Sequence, residues 1–216
     1  MVGNNDDLQL FRDAHLLDDM TPKQVSILAA AIDVFAENGY ANSSTKEIAR
    51  RAGVAEGNIF STFTNKRGLL HAIIDPVRES LFPRAMDELV KYKLATKYAT
   101  LREFLDNIIR DRIDYLRNNQ KVIKIFVAEL FYDQSLRRQF VKKFPVAYWL
   151  QFDRQFIHLK HLGQLVNWNN REIGAVMSGI IGEVFFGYLF FGQPLSDKTV
   201  QNTINTLVDV LTPHEA

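Results

Sequence analysis

Cysteine is absent from the 216 residues of this chain. Its absence excludes disulfides, thiolate zinc sites and cysteine nucleophiles, and it fits the reducing conditions of a cytoplasm. The N-terminus also lacks a basic segment followed by an apolar run, so the sequence predicts no signal peptide. We therefore expect a cytoplasmic protein.

A surplus of one charge is lacking too, since the net charge is only +1. The chain as a whole therefore does not show the basic character of many nucleic-acid-binding proteins. The charges are nevertheless unevenly placed. Residues 1–20 hold five Asp and one Arg, whereas residues 21–70 hold six Lys and Arg against four Asp and Glu. The second stretch is mildly basic, which is a modest indication of phosphate binding there.

Long apolar runs are also missing. The longest apolar stretch, residues 173–191, is interrupted by Glu183 and several glycines. This pattern favours a buried helix over a membrane span, so no membrane partner is predicted.

Motifs of catalysis and metal binding are lacking as well. The sequence has no glycine-rich phosphate loop, no nucleophile elbow and no convincing acid/base pair. His158 and His161 are three residues apart, but no third ligand accompanies them, so we expect a solvated pair. The sequence predicts no metal, no cofactor and no enzymatic activity.

Helix signals, in contrast, are abundant. A capping residue followed three positions later by Gln or Glu begins at residues 21, 44, 100 and 169. No alternation with a period of two indicates a strand. The sequence therefore predicts an all-α fold, with helices at about 22–38, 45–52, 56–62, 66–95, 101–118, 120–132, 134–162, 171–191 and 196–211.

Prolines interrupt two of these predicted helices. Pro76 and Pro83 are expected to kink or split the helix at 66–95, and Pro145 to bend the helix at 134–162, because proline lacks the N–H of an interior turn. The acidic residues 1–20 are expected to be partly helical at most. Four apolar side chains there could dock on the rest of the protein, namely Leu8, Phe11, Leu16 and Leu17.

Residues 44–63 have the pattern of a helix-turn-helix. Ile48 and the small Ala49 are predicted to face inward, and Gly53 lies where the chain must reverse with a positive φ. Val54 follows as an apolar plug. Three rings or branched side chains are predicted to anchor the second helix on the helix at 22–38, namely Ile59, Phe60 and Phe63.

This part of the chain resembles the TetR family of regulators over about residues 22–74. The resemblance is carried by four segments in order: A-A-x-x-x-F-A-x-x-G-Y at 30–40, T-x-E-I-A-x-x-A-G-V at 45–54, G-x-I-F-x-x-F at 57–63 and N-K-x-x-L at 65–69. It implies an N-terminal three-helix domain with a helix-turn-helix, followed by a larger helical domain for ligand binding and dimerisation. The implied domains are an acidic extension at 1–20, a DNA-binding domain at 21–75 and a ligand-binding and dimerisation domain at 76–216.

The resemblance also implies which residues meet DNA. The start of the helix at 45–52 would meet phosphate, residues 56–62 would lie in the major groove, and Lys66 would touch the DNA backbone. The candidate DNA-binding residues are Thr45, Lys46, Glu56, Gly57, Asn58, Phe60, Ser61, Thr62 and Lys66.

The sequence departs from the family pattern at three positions in this region. The family usually has Ser where Ala55 stands, commonly Tyr at Phe60 and often His or Tyr at Thr62. These departures predict a lower affinity for DNA or a different set of DNA contacts.

An aromatic stripe marks the candidate ligand pocket. Between residues 140 and 156 a ring recurs at every fourth position, which places the rings on one helix face, although plain core packing is an alternative. Arg112 and three tyrosines could serve as polar handles. The candidate pocket residues are Phe104, Ile108, Arg112, Tyr115, Phe126, Tyr132, Phe144, Tyr148 and Phe152.

The last two predicted helices are candidates for a dimer surface. Small residues at near-helical spacing permit close approach of a second helix, and the large apolar area should not remain exposed, although packing within one chain is an alternative. The candidate interface residues are Gly179, Gly182, Phe186, Phe190, Ile204, Leu207, Val208 and Leu211.

These expectations lead to one preferred function. The protein is predicted to be a homodimeric repressor that binds double-stranded operator DNA and is released by a small hydrophobic or aromatic effector. An activator or corepressor-dependent regulator of the same fold is one alternative. A helical small-molecule-binding protein that has lost DNA binding is another.

Overall fold

The computed structural model describes residues 8–213, so Asp6 and Asp7 of the acidic stretch lie outside the described residues. The regular structure of residues 8–213 is helical, with no strand, which confirms the predicted all-α class. The α-helices are α1 (Gln9–Asp13), α2 (Pro22–Asn38), α3 (Thr45–Ala52), α4 (Gly57–Phe63), α5 (Lys66–Pro76), α6 (Phe82–Leu89), α7 (Leu101–Asn118), α8 (Gln120–Tyr132), α9 (Gln134–Lys143), α10 (Val146–His161), α11 (Asn170–Phe190) and α12 (Asp197–Leu211).

Local capping explains where several helices begin. Thr21 and Gln24 form a reciprocal capping box at α2, with the Gln24 N–H donating to Thr21 Oγ1 at 3.3 Å and the Thr21 N–H donating to Gln24 Oε1 at 2.8 Å. Asn169 and Glu172 form another at α11. Each box satisfies backbone donors that have no partner inside the helix.

The helical stretch that follows α5 is not split at its prolines. Its backbone continues through a π-helical turn at Val77–Leu81, α6 and a second π-helical turn at Val90–Leu94. The first π-helical turn lies between Pro76 and Pro83, the two residues of this stretch that lack a backbone N–H. Pro145 has a larger effect than the predicted bend, because α9 ends at Lys143 and α10 begins at Val146.

The chain divides into two compact units. The first contains Met1–Arg84 and Leu116–Phe144, and the second contains Ala85–Tyr115 and Pro145–Ala216. Residues 116–144 therefore pack with the N-terminal part of the chain. The functional boundary predicted at residue 75 stays a prediction.

The first unit has one continuous apolar core. Its fully buried side chains include Ile27 of α2, Ile48 of α3, Ile59 of α4 and Ile73 of α5. The N-terminal segment joins this core through Leu8, Phe11 and Leu17, with Leu16 partly buried against it. The predicted docking of the segment is thus confirmed for its described residues.

The second unit has a core of its own. Buried side chains come from α7, α10, α11 and α12, and they include Phe104, Leu105, Leu159, Ile173 and Ile204. Hydrogen bonds from α7 to α12 add polar contacts, with Arg102 Nη1 donating to Asn205 Oδ1 at 2.9 Å and Arg110 Nη2 donating to Gln201 Oε1 at 3.1 Å. The C-terminal helix is thereby fixed to α7.

Candidate nucleic-acid interface

The scaffold of the candidate interface is the pair α3 and α4. Ile48 and Ala49 of α3 are buried, as the sequence predicts, and so are Ile59 and Phe63 of α4. Gly53 ends α3 in the left-handed region, with φ 68° and ψ 33°. A side chain would be strained in that conformation, which is why the turn between the two helices has glycine there.

The outward side of α4 carries small polar groups and one ring. Ser61 is exposed, while Asn58 and Thr62 are partly exposed. Phe60 is 48% exposed, so the prediction that it anchors α4 in the core was wrong. Ile59 and Phe63 are four residues apart and share the inward side of α4, whereas Phe60 points about 100° away from Ile59.

The beginning of α4 has no side-chain cap. Glu56 precedes the helix without accepting a bond from its N-terminal amides, which agrees with the capping hydroxyl missing at Ala55. Glu56 instead accepts a hydrogen bond from Thr45 Oγ1 at 2.5 Å. This bond joins the start of α3 to the start of α4, and it occupies two of the predicted DNA-binding side chains.

Lysines at the two helix starts differ in their surroundings. Lys46, in the first turn of α3, is exposed. Lys66, the first residue of α5, is partly buried and donates to the carbonyl oxygens of Tyr40 at 2.8 Å and Ser43 at 2.9 Å. Gly57 at the start of α4 is exposed, with no atom within 4 Å of the place that a Cβ would occupy.

An ion-pair cluster that was not predicted from the sequence joins α3 to the end of α2. Arg51 Nη2 donates to Glu37 Oε2 at 2.6 Å and to Glu47 Oε1 at 3.0 Å. The hydrogen bond from Arg51 lowers the pKa of Glu37, and the positive charge of Arg51 acts in the same direction. The four-residue spacing of Glu47 and Arg51 is the signal that could have revealed part of this cluster.

The candidate pocket residues of the second unit form one aromatic group. Phe104 is fully buried and meets Phe152 edge-on, with ring centroids 5.8 Å apart. The Tyr148 ring lies 4.8 Å from that of Phe152. Ile108 is buried on α7 as well. The structure thus brings together the predicted residues of α7 and α10.

Polar groups lie on the same two helices. The guanidinium of Arg112 is 5.2 Å from the centre of the Tyr115 ring and forms a salt bridge with Asp111 at 2.5 Å. Burial raises the pKa of both Tyr115 and Tyr148, and the charge of Arg112 partly opposes the rise. Both phenols therefore remain protonated at neutral pH.

The remaining candidate pocket residues belong to the first unit. Phe126 is buried and its ring lies 5.4 Å from that of Phe140. The Phe144 ring packs against Phe82, with centroids 5.5 Å apart. Tyr132 is 86% exposed, so it lines no cavity within its unit and its assignment as a polar handle was wrong there.

The candidate interface residues separate by helix. Gly179, Gly182, Phe186 and Phe190 share one side of α11, where Phe186 is 40% exposed and stacks on Phe190 at 5.5 Å. On α12 the structure corrects the prediction. Ile204, Leu207 and Leu211 are completely buried in the protomer and offer no surface to a partner, and Val208 is partly buried.

The physical reason for the correction is the position of the apolar stripe. The most apolar side of α12 packs on the core of its own unit, as expected for an amphipathic helix. The outward side of α12 carries Asn202, Thr206 and Val210 instead.

Helix α11 is less buried than the sequence analysis predicts. It is long and apolar enough to cross a membrane by length and composition, and only 22% of its most apolar window is buried. Its inward side holds Ile173, Met177 and Val184. The predicted burial of this helix is therefore found only on its inward side.

These features define a helix-turn-helix protein whose other described elements are also helical. The family model described as "Bacterial regulatory proteins, tetR family" matches residues 27–73. This match covers the helix-turn-helix region, and relatives that cover more of the chain are named as HTH-type transcriptional regulators.

Two relatives illustrate the match. A fatty acid metabolism regulator protein of Bacillus subtilis (strain 168) is 32% identical over 127 residues, which are 59% of this chain and 62% of the relative. That alignment covers less than two thirds of the relative's length. An uncharacterized HTH-type transcriptional regulator of the same strain is 29% identical over 189 residues, 84% of this chain and 88% of the relative. Both relatives are named as regulators and not as enzymes.

A solved structure extends the similarity to most of the chain. The transcriptional regulator FadR from Bacillus subtilis, crystallised in complex with stearoyl-CoA, superposes with a TM-score of 0.54 at 25% identity. The superposition covers 84% of this chain and 96% of that one.

Proposed function

We propose that the protein is a transcriptional repressor that binds operator DNA as a homodimer and releases it when a hydrophobic effector binds. The proposal rests on the exposure of small polar side chains on the outward side of α4. Short polar groups at Asn58, Ser61 and Thr62 stand there on a helix anchored by Ile59 and Phe63. Such groups can donate to and accept from base edges in the major groove.

Neighbouring groups supply the phosphate contacts of this proposal. Lys46 is exposed at the start of α3, where the helix dipole adds to its positive charge. In the proposed complex, Ser61 of α4 lies beside the base edges and not beside a phosphate. Phe60 cannot donate a hydrogen bond to a phosphate, so its exposed ring would pack on sugar or on a thymine methyl group.

A homodimer follows from the length of the recognition helix. α4 has seven residues, and one such helix contacts too few base pairs to specify a site. A two-fold dimer doubles the contacts and reads an inverted repeat whose half-sites are about one helical turn, or a multiple of one, apart. The exposed side of α11 with Gly179, Gly182, Phe186 and Phe190 is the proposed interface, and the outward side of α12 would complete it.

The proposed effector is a long-chain acyl-CoA. The similar regulator from Bacillus subtilis was crystallised with stearoyl-CoA. In the second unit of this chain, the rings of Phe104, Tyr148 and Phe152 offer an apolar lining of the kind that surrounds ligand chains. Arg112 beside them offers a cation for an anionic group.

A second candidate function is supported by a different observation. Thr45 and Lys66, two predicted phosphate contacts, make hydrogen bonds within the protein. In a ligand-binding protein of this fold with weak DNA binding, these two side chains would bond within the protein and not to phosphate. Direct measurement of DNA binding separates the two candidates.

The test uses a labelled duplex from the region upstream of the protein's own gene. We expect the affinity to fall steeply as salt rises from about 50 to 200 mM, because released counterions drive binding. Stearoyl-CoA should release the duplex, whereas CoA alone and stearate alone should not. Absence of binding at the low salt concentration would favour the second candidate for that duplex, and release by stearate alone would overturn the acyl-CoA assignment.

A pair of variants tests the effector site. Arg112→Leu should weaken release by stearoyl-CoA about tenfold, since a charged hydrogen bond contributes about 1.5–3 kcal/mol. Asn107→Leu on the same helix, where the exposed Asn107 side chain donates to the Glu103 carbonyl of its own helix, is the control and should respond like the native protein. Equal responses of the two variants would remove Arg112 from the site.

A further inference from the structure

Lys66 occupies an unusual place for a cation. It is the first residue of α5, directly after the N-cap Asn65, whose side chain accepts the Gly68 N–H at 2.9 Å. The helix dipole makes this end positive, so a lysine there is disfavoured by the field of its own helix. A partner elsewhere must compensate if the ammonium is to remain partly buried.

The partner is the turn between α2 and α3. The Lys66 ammonium donates to the carbonyl oxygens of Tyr40 at 2.8 Å, Ser43 at 2.9 Å and Ala41 at 3.4 Å. Its Nζ also lies 4.4 Å from the centre of the Tyr40 ring. The three donors of the ammonium thus have three acceptors, and the aromatic face adds a cation–π contact.

This turn leads directly into the candidate interface. Gly39 ends α2 with φ 75°, and the buried Ser43 donates from Oγ to the Gly39 carbonyl at 2.6 Å. The next residue, Ser44, is the N-cap of α3 and accepts the Glu47 N–H at 3.1 Å. A hydrogen bond to the Ser43 carbonyl therefore holds the residue directly before the N-cap of α3, the helix that presents Thr45 and Lys46.

The same first turn of α5 also fixes α4. A Cβ at Gly68 would lie 2.0 Å from the Phe63 carbonyl oxygen, so the end of α4 sits directly against α5. Thr64 between them has φ 67°, a conformation that L side chains rarely adopt. The start of α5 thereby holds α4 through Gly68 and the approach to α3 through Lys66.

We propose that Lys66 is a positioning residue that holds the α2–α3 turn, and hence α3, against the start of α5, and that it is not a phosphate contact. This inference rests on the proposed DNA-binding function for its effect on affinity, but the contact itself is measurable without DNA. It also deepens that function. Because the backbone from Lys66 to Leu94 is helical without a break, a displacement of this stretch would reach α3 through the Lys66 contact.

The DNA-free experiment is hydrogen exchange on the full chain. Lys66→Met keeps much of the side-chain length and removes the ammonium. We expect amide exchange in residues 40–47 to accelerate about tenfold, with exchange in α7 unchanged. Lys66→Arg should restore part of the protection, and Lys46→Met should leave it as in the native protein. Unchanged protection of residues 40–47 in Lys66→Met would overturn the proposal.

The DNA arm distinguishes positioning from phosphate contact. Below the unfolding transition, Lys66→Met should lower affinity about tenfold without changing the slope of log K against log salt. Lys46→Met should make that slope shallower by about 0.9, the value for one lost phosphate contact. A shallower slope in Lys66→Met would overturn the proposal. If the native protein binds no DNA, the proposed function fails, and hydrogen exchange still decides whether Lys66 holds the turn.

Discussion

At the residue scale, the space beside the backbone determines which residue can stand at the junction of α4 and α5. Gly68 has no room for a side chain, because a Cβ would lie 2.0 Å from the Phe63 carbonyl oxygen. The obstacle is backbone, so it cannot rotate away. Gly57, at the start of α4, has nothing within 4 Å.

The two glycines give a matched stability test. Gly68→Ala should lower the free energy of unfolding by about 1–3 kcal/mol, since the helix must shift to relieve the overlap. Gly57→Ala should leave it unchanged or raise it by about 0.5 kcal/mol, because alanine has the higher helix propensity. Chemical denaturation checks both values, and equal effects of the two substitutions would contradict the close approach at Gly68.

Glu37 gives a pH test at the same scale. Its hydrogen bond from Arg51 depresses the pKa of the folded carboxyl below the ordinary value of 4.5. Its stabilising effect is therefore present above pH 4.5 and is lost as the pH falls through the depressed folded value. Since about half of the Glu37 side chain is exposed, the effect is below about 1 kcal/mol.

The variant Glu37→Gln isolates this contribution. Its free energy of unfolding should be lower than that of the native protein at pH 7, and the difference should shrink as the pH falls from 5 to 3. Urea denaturation at several pH values measures the difference. A gap that stays constant with pH would argue against the ion pair.

Residue-level features were predictable only where one local rule decides them. The positive φ of Gly53 follows from a turn between two helix patterns. Lys66 and Gly68 depend instead on which carbonyl groups the folded chain brings near, and their neighbours in sequence do not reveal this. Phe60 looked like an anchor because it is a ring beside Ile59, but its direction on the helix places it outward.

At the element scale, capping side chains mark the first residue of several helices. α9 begins at Gln134 because Asp133 accepts hydrogen bonds from the Ser135 N–H at 2.7 Å and the Leu136 N–H at 2.9 Å. These backbone bonds, that of Leu136 first, lower the pKa of Asp133 below its ordinary 3.8. The cap is charged at neutral pH and favourable at a helix N-terminus.

Substitution of Asp133 tests the cap. Asp133→Ala should lower the free energy of unfolding by about 1 kcal/mol at pH 7, whereas Asp133→Asn retains an acceptor and should lose less. Because the folded pKa is depressed, the advantage of aspartate over asparagine is present above pH 3.8 and disappears as the pH falls through the folded value. Thermal unfolding from pH 7 to pH 3 measures this, and a pH-independent difference would contradict a charged cap.

Helix positions were largely predictable from the sequence, because capping and apolar periodicity are local. The bounds of α2, α3, α7 and α8 agree with those expected from the sequence. The π-helical turns at Val77–Leu81 and Val90–Leu94 were not predictable, since no local sequence signal marks an i→i+5 turn. The inward side of α12 was misassigned because an apolar stripe does not reveal whether its own chain or a partner covers it.

At the scale of the whole molecule, the partly exposed side of α11 is the proposed dimer interface. Gly182 has no atom within 4 Å of the place where a Cβ would stand, so a long side chain fits the single protomer. In a homodimer that uses this side of α11, position 182 would face the second copy. A long side chain there would keep the two α11 helices apart.

Substitution at Gly182 separates folding from association. Gly182→Arg should remain folded, with native helical content, but sediment as a monomer and lose most DNA affinity. Gly182→Ala is the control and should remain dimeric. A native protein that sediments as a monomer at micromolar concentration, or a dimeric Gly182→Arg, would contradict a dimer interface on α11.

We propose that α3 and α4 bind a specific DNA sequence as part of a symmetric dimer. Selection of duplexes from a random-sequence pool by the native protein tests it without assuming any operator sequence. We expect enrichment of an inverted repeat, with half-site centres about 10 base pairs or a multiple of that apart, and loss of the enriched sequence when Asn58→Ala and Ser61→Ala are combined. Recovery of a pool with no enriched sequence at low salt would contradict it.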